Sequence, residues 1–539
     1  MESKLNRVIG SIQNGSLHRR IYWALTTFAI VGSALVIVAY LYGAAIAPRV
    51  LVIGPDTWGY LGLAIHLDTG LPIPNSTRSI GYPLFVAPIL ALRGQLSDVA
   101  IAQILLTAGM AMCAGIISMR FHRALALSSP SIFDLVITPF TVLAILAYQP
   151  TTNYAFSVLP ELFYGSISLF CLMALLESIY QNNIWLRAAL SAVALYVSMW
   201  VFLTKPHAAV FTLLVVSVLL IHVVVDVCRR SWKTFWVISL SLLVSASLAS
   251  VTLFALDQKL KRQFGRWAES FGPLTFFCNH PSIVLPAVHE MKLPEKFLAD
   301  VESVLWRTIA NGPNGWNILG VNGDDCIYRS PFLQTLTEQF GDDDAASLKF
   351  LKDAGFRGAA MNPLGMVSMA STQFLHAVAN PFPNIANQEM TGRSDYDRLL
   401  QTQVDLVGRY STEKASLDGV VANPLELALP SLASAGQAIL RAVNASAGYI
   451  WTLIAVWTLL LWGASIRFGK GCRLAIYGRG MAIVVGSYFS SIVVVAIAST
   501  FDIARYAEAI APLAILTIVA AISSLFTATR KILWFWPRA

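Results

Sequence analysis

Long apolar stretches separated by short polar ones dominate the chain. Ten of these stretches are about as long as a helix needs to be to cross a bilayer. They run over 21–46, 98–119, 132–149, 162–180, 186–203, 208–228, 235–256, 447–466, 481–500 and 507–527. The pattern predicts an all-α polytopic membrane protein with about ten or more transmembrane helices.

Two stretches depart from this pattern. Leu84–Leu92 is apolar but too short to cross, which predicts an interfacial or re-entrant piece. Asp257–Asn444 is polar and long enough for a small domain, either mixed or α-rich. The predicted division is an N-terminal transmembrane module at 1–256 with its first outside loop at 48–97, an extracytoplasmic insert at 257–446, and C-terminal transmembrane helices at 447–539.

Composition agrees with a membrane protein. The chain has 539 residues, of which 56% are hydrophobic and 13% are charged. Soluble domains carry about 25% charged residues, so a soluble fold is excluded. The net charge of +8 does not indicate a nucleic-acid partner, because the basic residues lie in short loops between apolar stretches.

The distribution of Lys and Arg predicts the orientation in the membrane. If the N-terminus is cytoplasmic, every inside loop carries Lys or Arg, as the positive-inside rule requires. Both termini are then cytoplasmic, and 21–47 is a retained signal anchor, since it is longer than the apolar part of a cleaved signal. Short loops and few cysteines favour a bacterial inner membrane with a periplasmic active site.

Cysteine usage is consistent with this orientation. Cys278 and Cys326 both fall in the outside insert, where oxidation is permitted, and they are predicted to form a disulfide. The other four cysteines fall in or beside apolar stretches.

Ionisable residues near membrane depth gather on the outside face. They are Asp56 and Arg78 in the first outside loop, Glu161 in the second, Lys205 and His207 in the third, and Asp502, Arg505 and Tyr506 in the last. Each has a purely structural alternative: Glu161 could stabilise a helix start, Lys205 could reach the headgroups, and Arg505 could pair with Asp502. Asp56 lies between Pro55 and Gly59 at the mouth of the first span, where a charge is unfavourable without a function.

These motifs resemble those of the GT-C glycosyltransferases in their order along the chain and in their location on one side of the membrane. The GT-C glycosyltransferases are membrane enzymes that take sugar from a polyprenyl-phosphate donor. The first loop, Asp56 to Tyr60 and then Arg78 with Gly81-Tyr82-Pro83, is similar to that of the family, whose relatives include protein O-mannosyltransferases and aminoarabinose transferases. Three later segments are also similar: Pro160-Glu161-Leu162-Phe163, Thr204-Lys205-Pro206 and Arg505-Tyr506 with Pro512. The resemblance covers the first seven spans and part of the last.

The resemblance implies a role for each of these residues. Asp56 would be the general base, and Lys205, with Arg78 or Arg505, would bind the donor phosphate. Glu161, Tyr60, Tyr82, His207 and Tyr506 would contact the acceptor or support the groups that do. The donor would be a polyprenyl-phosphate sugar, and the acceptor a glycan, lipid or protein of the cell envelope. The sequence identifies no certain cofactor, and a divalent metal, if one is used, would be held by Asp56 and Glu161.

Other functions fit part of the pattern. A polymerase or ligase of lipid-linked glycans would share the donor chemistry and the outside site. A flippase or transporter of a charged lipid would place charges deeper and would show paired repeats. A structural scaffold would leave the one-sided charge cluster unexplained.

Overall fold

The computed structural model describes residues 2–47, 57–70, 79–93, 96–125, 132–228, 231–264, 271–310, 321, 323, 325–341, 344–383, 423–467, 473–498 and 503–535. Within these ranges the regular elements are all helices, and no β-strand occurs. The fold is therefore α-helical throughout its described part.

The helices are numbered here in chain order. The first ten are α1 (Glu2–Ile46), α2 (Thr57–Thr69), α3 (Gly81–Arg93), α4 (Leu96–Leu125), α5 (Ile132–Ala147), α6 (Gln149–Ala155), α7 (Pro160–Tyr180), α8 (Ile184–Thr204), α9 (Ala209–Cys228) and α10 (Trp232–Phe264). The next six are α11 (Phe271–Asn279), α12 (Pro281–Glu290), α13 (Glu295–Ala310), α14 (Phe332–Phe340), α15 (Asp344–Met361) and α16 (Pro363–Ala379). The last five are α17 (Pro424–Ala428), α18 (Pro430–Ala445), α19 (Ala447–Arg467), α20 (Arg473–Ala498) and α21 (Ile503–Phe535). A 3-10 turn at Pro206–Ala208 precedes α9, and a π-helical turn lies at Asp325–Arg329.

Eight helices in the described ranges are long and apolar enough to cross a membrane, and the number becomes ten if each of two bent pairs forms one span. The eight segments are Trp23–Ile46, Ser97–Phe121, Pro160–Tyr180, Ile184–Thr204, Ala209–Cys228, Trp232–Lys259, Gly478–Ile497 and Arg505–Leu525. The bent pairs are Leu135–Ala147 with Gln149–Ala155, at 66°, and Pro430–Ala445 with Ala447–Leu461, at 75°. Every predicted stretch coincides with one of these ten segments, and the all-α polytopic class is confirmed.

The bend between α5 and α6 has a local cause. Pro150 occupies the first turn of α6, where its missing N–H is tolerated, but it could not donate a hydrogen bond back into α5. The chain therefore starts a new helix in a new direction. This change of direction carries α6 toward the start of α7.

The short apolar piece predicted around Leu84–Leu92 is helix α3, which packs beside the turn that follows α8. The Ser79 hydroxyl donates to the Thr204 carbonyl at 2.6 Å. A Cβ on Gly81 would lie 2.6 Å from the Thr204 backbone nitrogen, so only glycine allows this approach. The end of the loop predicted at 48–97 is thus joined directly to the Lys205 turn.

The insert is α-rich in its described part and has a hydrophobic core of its own. Phe277 stacks on Phe332 with ring centroids 5.0 Å apart, and Phe350 packs against Phe277 at 5.7 Å. Cys278 and Cys326 form a disulfide within this core. The division of the chain into three domains stays a prediction.

The end of the insert returns to the α5–α6 bend. The Tyr148 hydroxyl donates to the Pro383 carbonyl at 2.9 Å. The Asn423 amide donates to the Leu146 carbonyl at 3.1 Å. The Asn444 side chain accepts from the Phe382 backbone N–H at 3.1 Å. These bonds hold α16, α17 and α18 against the membrane-spanning helices.

Candidate active site

Glu161 lies at the first turn of α7, immediately after Pro160, which is favoured at the first helical position. Its side chain is fully buried. Oε1 accepts from Lys205 Nζ at 3.0 Å and from Arg505 Nε at 2.8 Å. A buried carboxylate is stable only when it is paired and hydrogen-bonded, so these two cations stabilise Glu161 and are stabilised by it.

Lys205 occupies the turn between α8 and the 3-10 segment, and its side chain is 7% exposed. Its ammonium lies 4.9 Å from the centroid of the Tyr506 ring, within range of a cation–π interaction. Burial alone would lower the pKa of Lys205, but the Glu161 carboxylate and the neighbouring Tyr60 and Tyr506 raise it above its ordinary value. Lys205 is therefore protonated at physiological pH.

Arg505 is the more accessible cation, with a side chain that is 24% exposed. It lies near the start of α21, which crosses α7 at Gly165. A Cβ on Gly165 would lie 2.5 Å from the Ala509 carbonyl oxygen, so the glycine permits the close crossing. Since Gly165 is one helical turn from Glu161, and Ala509 one turn from Arg505, this crossing brings the two charged side chains together.

The first loop contributes two buried tyrosines next to this cluster. The rings of Tyr60 and Tyr82 meet edge to face at 5.9 Å. The Tyr82 hydroxyl donates to the Gln103 side chain at 2.5 Å. Asp56 and Arg78 lie outside the described residues, as does Asp502. The backbone at His207 belongs to the 3-10 turn, and its side chain is outside the description.

The structure thus brings together Glu161, Lys205, Arg505 and Tyr506, with Tyr60 and Tyr82 beside them. From the sequence, the structural alternative for Arg505 is a pair with Asp502. The carboxylate that Arg505 contacts here is Glu161. The roles that the sequence assigns to these residues stay predictions.

Sequence reasoning missed two polar residues around the cluster. Glu508 is buried one helical turn after Arg505 and accepts from the Tyr154 hydroxyl at 2.5 Å. The Gln103 amide donates to the carbonyls of Tyr154, Ala155 and Ser157, which fixes the loop entering α7. The available signal was a charged or amide side chain inside an otherwise apolar span, which is unfavourable without a partner or a function.

The arrangement is suited to anion binding. The Lys205 ammonium has three N–H donors. Glu161 accepts from one of them, so the other N–H groups point away from this carboxylate. Arg505 combines partial exposure with a permanent charge. Glu161 Oε1 already accepts from two cationic side chains. Among the described residues, no group of three or more His, Cys, Asp or Glu could bind a metal ion. A metal shared by Asp56 and Glu161 stays a prediction.

Comparison with known proteins gives a likeness to two solved structures. No protein-family model matches the chain, and no curated protein matches it. One structure is ArnT from Cupriavidus metallidurans bound to undecaprenyl phosphate, which is 13% identical, with 90% of this chain and 78% of that chain covered and a TM-score of 0.31. The other is the same protein in the apo state, which is 14% identical, with 93% and 78% covered and a TM-score of 0.32. At these values the likeness assigns no role to any residue of this chain.

Proposed function

We propose that this protein is a glycosyltransferase of the GT-C type that transfers a sugar from a polyprenyl-phosphate donor to an acceptor at the extracytoplasmic face of a membrane. The observation that carries the proposal is the convergence of Lys205 and Arg505, from two distant parts of the chain, on one buried carboxylate near the first outside loop. Charges are retained at membrane depth chiefly where they bind ions, substrates or each other for a function.

In this mechanism the two cations hold the donor phosphate. The acceptor hydroxyl attacks the anomeric carbon while the bond from that carbon to the phosphate oxygen breaks. The electron pair leaves with the phosphate, whose charge Lys205 and Arg505 neutralise. The hydroxyl proton passes to Asp56, and attack opposite the leaving group inverts the anomeric carbon.

Glu161 has a positioning role in this mechanism. By accepting from both Lys205 and Arg505, it fixes the distance between two side chains that would otherwise repel each other. Preorganised cations stabilise developing charge without reorganising during the reaction. The acceptor would be a glycan, lipid or protein of the cell envelope, and the compartment a bacterial periplasm.

The test is a transfer assay with the purified full-length protein in detergent. Radiolabelled polyprenyl-phosphate sugars serve as donors and an envelope extract as acceptor. We expect transfer with release of polyprenyl phosphate. Asp56→Asn should lower kcat by roughly 10²-fold or more without changing the donor KM, as for loss of a general base. Full activity of Asp56→Asn would remove the base assignment.

A second variant pair tests the phosphate site. Lys205→Met should raise the donor KM and lower kcat, and Lys205→Arg should retain part of the activity because the charge remains. Lys233→Met removes an exposed lysine from the start of α10 and should leave both parameters unchanged. Equal activity of Lys205→Met and Lys233→Met would contradict the proposed role of Lys205.

Other substrates and a bilayer separate the alternatives. Release of polyprenyl pyrophosphate from pyrophosphate-linked glycans, offered as additional donors, would indicate a polymerase or ligase of lipid-linked glycans. Translocation of a charged lipid by the protein in liposomes, with no turnover of any donor, would indicate a transporter and would overturn the proposal.

A further inference from the structure

Helices α16, α19 and α20 bury polar atoms that have no hydrogen-bond partner in the described structure. On α16, neither the amide nitrogen nor the amide oxygen of Gln373 is paired. On α19 and α20, the Trp451 indole N–H and the Tyr488 hydroxyl are likewise unpaired. All three side chains are almost fully buried, at 0%, 3% and 1% exposure. Buried polar groups without partners are unfavourable and rare, so such a group calls for a physical reason.

Aromatic contacts connect the three helices that carry these side chains. The rings of Trp451 and Tyr488 stack at 4.4 Å, and Phe489 lies 5.5 Å from each of them. Phe374, the neighbour of Gln373 in the chain, contacts Phe489 at 5.6 Å. Gln373, Phe374, Trp451, Tyr488 and Phe489 are called the polar–aromatic cluster below.

Helix α16 buries Gln373 as well as the apolar Ala377 and Val378. It contains no Asp, Glu, Lys or Arg, and it buries the amide of Gln373. Its outward face carries Leu364 and Val367, which are 82% and 63% exposed. An apolar residue at position 373 would satisfy the packing of α16 against α20 better than an amide does. A bound polar ligand would account for the amide.

The cluster defines the chemistry of its ligand. It contains no charged side chain, so it does not suit the phosphate. Gln373 and Tyr488 can each donate and accept, and Trp451 can donate, which matches hydroxyl groups that do both. A small number of polar groups among aromatic rings is typical of a small-molecule site.

The cluster belongs to the same hydrophobic core as residues around the candidate active site. This core includes Trp451 and Tyr488 together with Tyr148 and Tyr154. Tyr148 precedes α6, which carries Tyr154 to its hydrogen bond with Glu508. The cluster and the Tyr154–Glu508 pair therefore share one core.

We infer that the polar–aromatic cluster binds a neutral sugar ring, from either the donor or the acceptor. The choice of a sugar, rather than another polyhydroxyl ligand, rests on the proposed function. Gln373 and Tyr488 exchange hydrogen bonds with its hydroxyls, Trp451 donates one, and the aromatic rings contact its C–H face.

The test measures sugar binding separately from transfer. Methyl glycosides of a hexose, a pentose and an amino sugar are added to the full-length protein in detergent, and binding is followed by saturation-transfer NMR. We expect saturable binding of at least one glycoside to the wild type. Gln373→Met and Tyr488→Phe should each weaken it by roughly fivefold, the effect of one lost hydrogen bond.

A matched control lies on the same helix as Trp451. The indole N–H of Trp457 is already bonded to Ser524, so Trp457→Phe should leave glycoside binding unchanged, whereas Trp451→Phe should weaken it. Gln373→Met should melt no lower than the wild type, because it removes an unpaired buried amide. This variant remains informative if Tyr488→Phe does not fold.

The outcomes separate the two proposals. Absence of glycoside binding to the wild type, or wild-type affinity in both Gln373→Met and Tyr488→Phe, would overturn the inference. Glycoside binding without any sugar transfer would contradict the proposed function alone. If transfer occurs, a KM raised by Gln373→Met for the donor identifies the donor sugar as the ligand, and one raised for the acceptor identifies the acceptor sugar.

Discussion

Glu161 is the residue on which the candidate site depends, because one of its oxygens accepts from both cations. Buried ion pairs are sensitive to the loss of one member, since the remaining charge stays buried without compensation. Loss of the Glu161 carboxylate would leave Lys205 and Arg505 as two neighbouring cations that repel each other. Glu161 therefore contributes to stability as well as to the geometry of the site.

At the residue scale, we predict that Glu161→Gln destabilises the protein by on the order of 3 kcal/mol. The measurement is the thermal midpoint in detergent. Glu177→Gln, on the same helix, breaks a pair with Arg120, whose side chain is 58% exposed, and should change stability by at most about 1 kcal/mol. Equal shifts in the two variants would show that the buried pairing is not the stabilising feature.

At the scale of elements, the crossing of α7 and α21 is set by a small residue. A methyl group at Gly165 would be closer to the Ala509 carbonyl than van der Waals contact allows. The two helices would have to separate, and Glu161 and Arg505 would separate with them. Packed interiors transmit such shifts rather than absorbing them.

We predict that Gly165→Ala lowers both the thermal midpoint and the rate of sugar transfer. Gly463→Ala is the matched control, because a Cβ there meets nothing within 4 Å. It should be neutral or slightly stabilising, as expected for alanine in a helix. Wild-type activity in Gly165→Ala would mean that the crossing distance does not set the site geometry.

His280 connects the insert to the end of α20 by a hydrogen bond. His280 is buried, its Nδ1 lies 3.0 Å from the Phe276 carbonyl, and it also bonds the backbone of Ile497. Burial lowers the pKa of His280 to about 4, against the smaller opposing effect of these two bonds. Below its ordinary pKa of about 6.5, the unfolded state therefore binds more protons than the folded state.

We predict that acidification from pH 6.5 to pH 4 loosens the insert, by up to about 3 kcal/mol at pH 4. Above pH 6.5 the effect is absent, and below pH 4 it is constant. The measurement is hydrogen exchange in α11 and α12 as a function of pH. His280→Gln should remove most of the dependence, while His289→Gln, at an exposed histidine on α12, should not. A pH profile unchanged by His280→Gln would exclude this histidine as the cause.

At the scale of the whole molecule, the predicted orientation places the insert and the candidate site on one side and the loops rich in Lys and Arg on the other. Cysteines report on this arrangement. Cys278 and Cys326 are bonded to each other in the insert, and Cys228 is free and exposed at the end of α9, next to a predicted inside loop.

We predict that a membrane-impermeant maleimide does not label a Cys472→Ser protein in intact spheroplasts but labels Cys228 after permeabilisation. Cys228→Ser should abolish this labelling. Cys278 and Cys326 should react only after reduction and unfolding. Labelling of Cys228 in intact spheroplasts would reverse the orientation and contradict an extracytoplasmic site.

The positions of the membrane spans followed from sequence because hydrophobic length is a local property of the chain. The helix bends at Tyr148 and Ser446 did not follow from it, and neither did the packing of α17 and α18 against the membrane-spanning helices. These features depend on contacts such as that of Asn423 with Leu146, which lie far apart in the chain.

The charged residues of the site could be named individually from sequence, since a charge beside an apolar span is conspicuous. Their partners could not be named. Glu161 is 44 positions from Lys205 and 344 from Arg505, so their pairing arises from the packing of α7, α21 and the turn after α8. Glu508 and Gln373 remained hidden for the same reason. Whether a polar side chain in an apolar helix faces a partner, a ligand or lipid depends on what the neighbouring helices present to it.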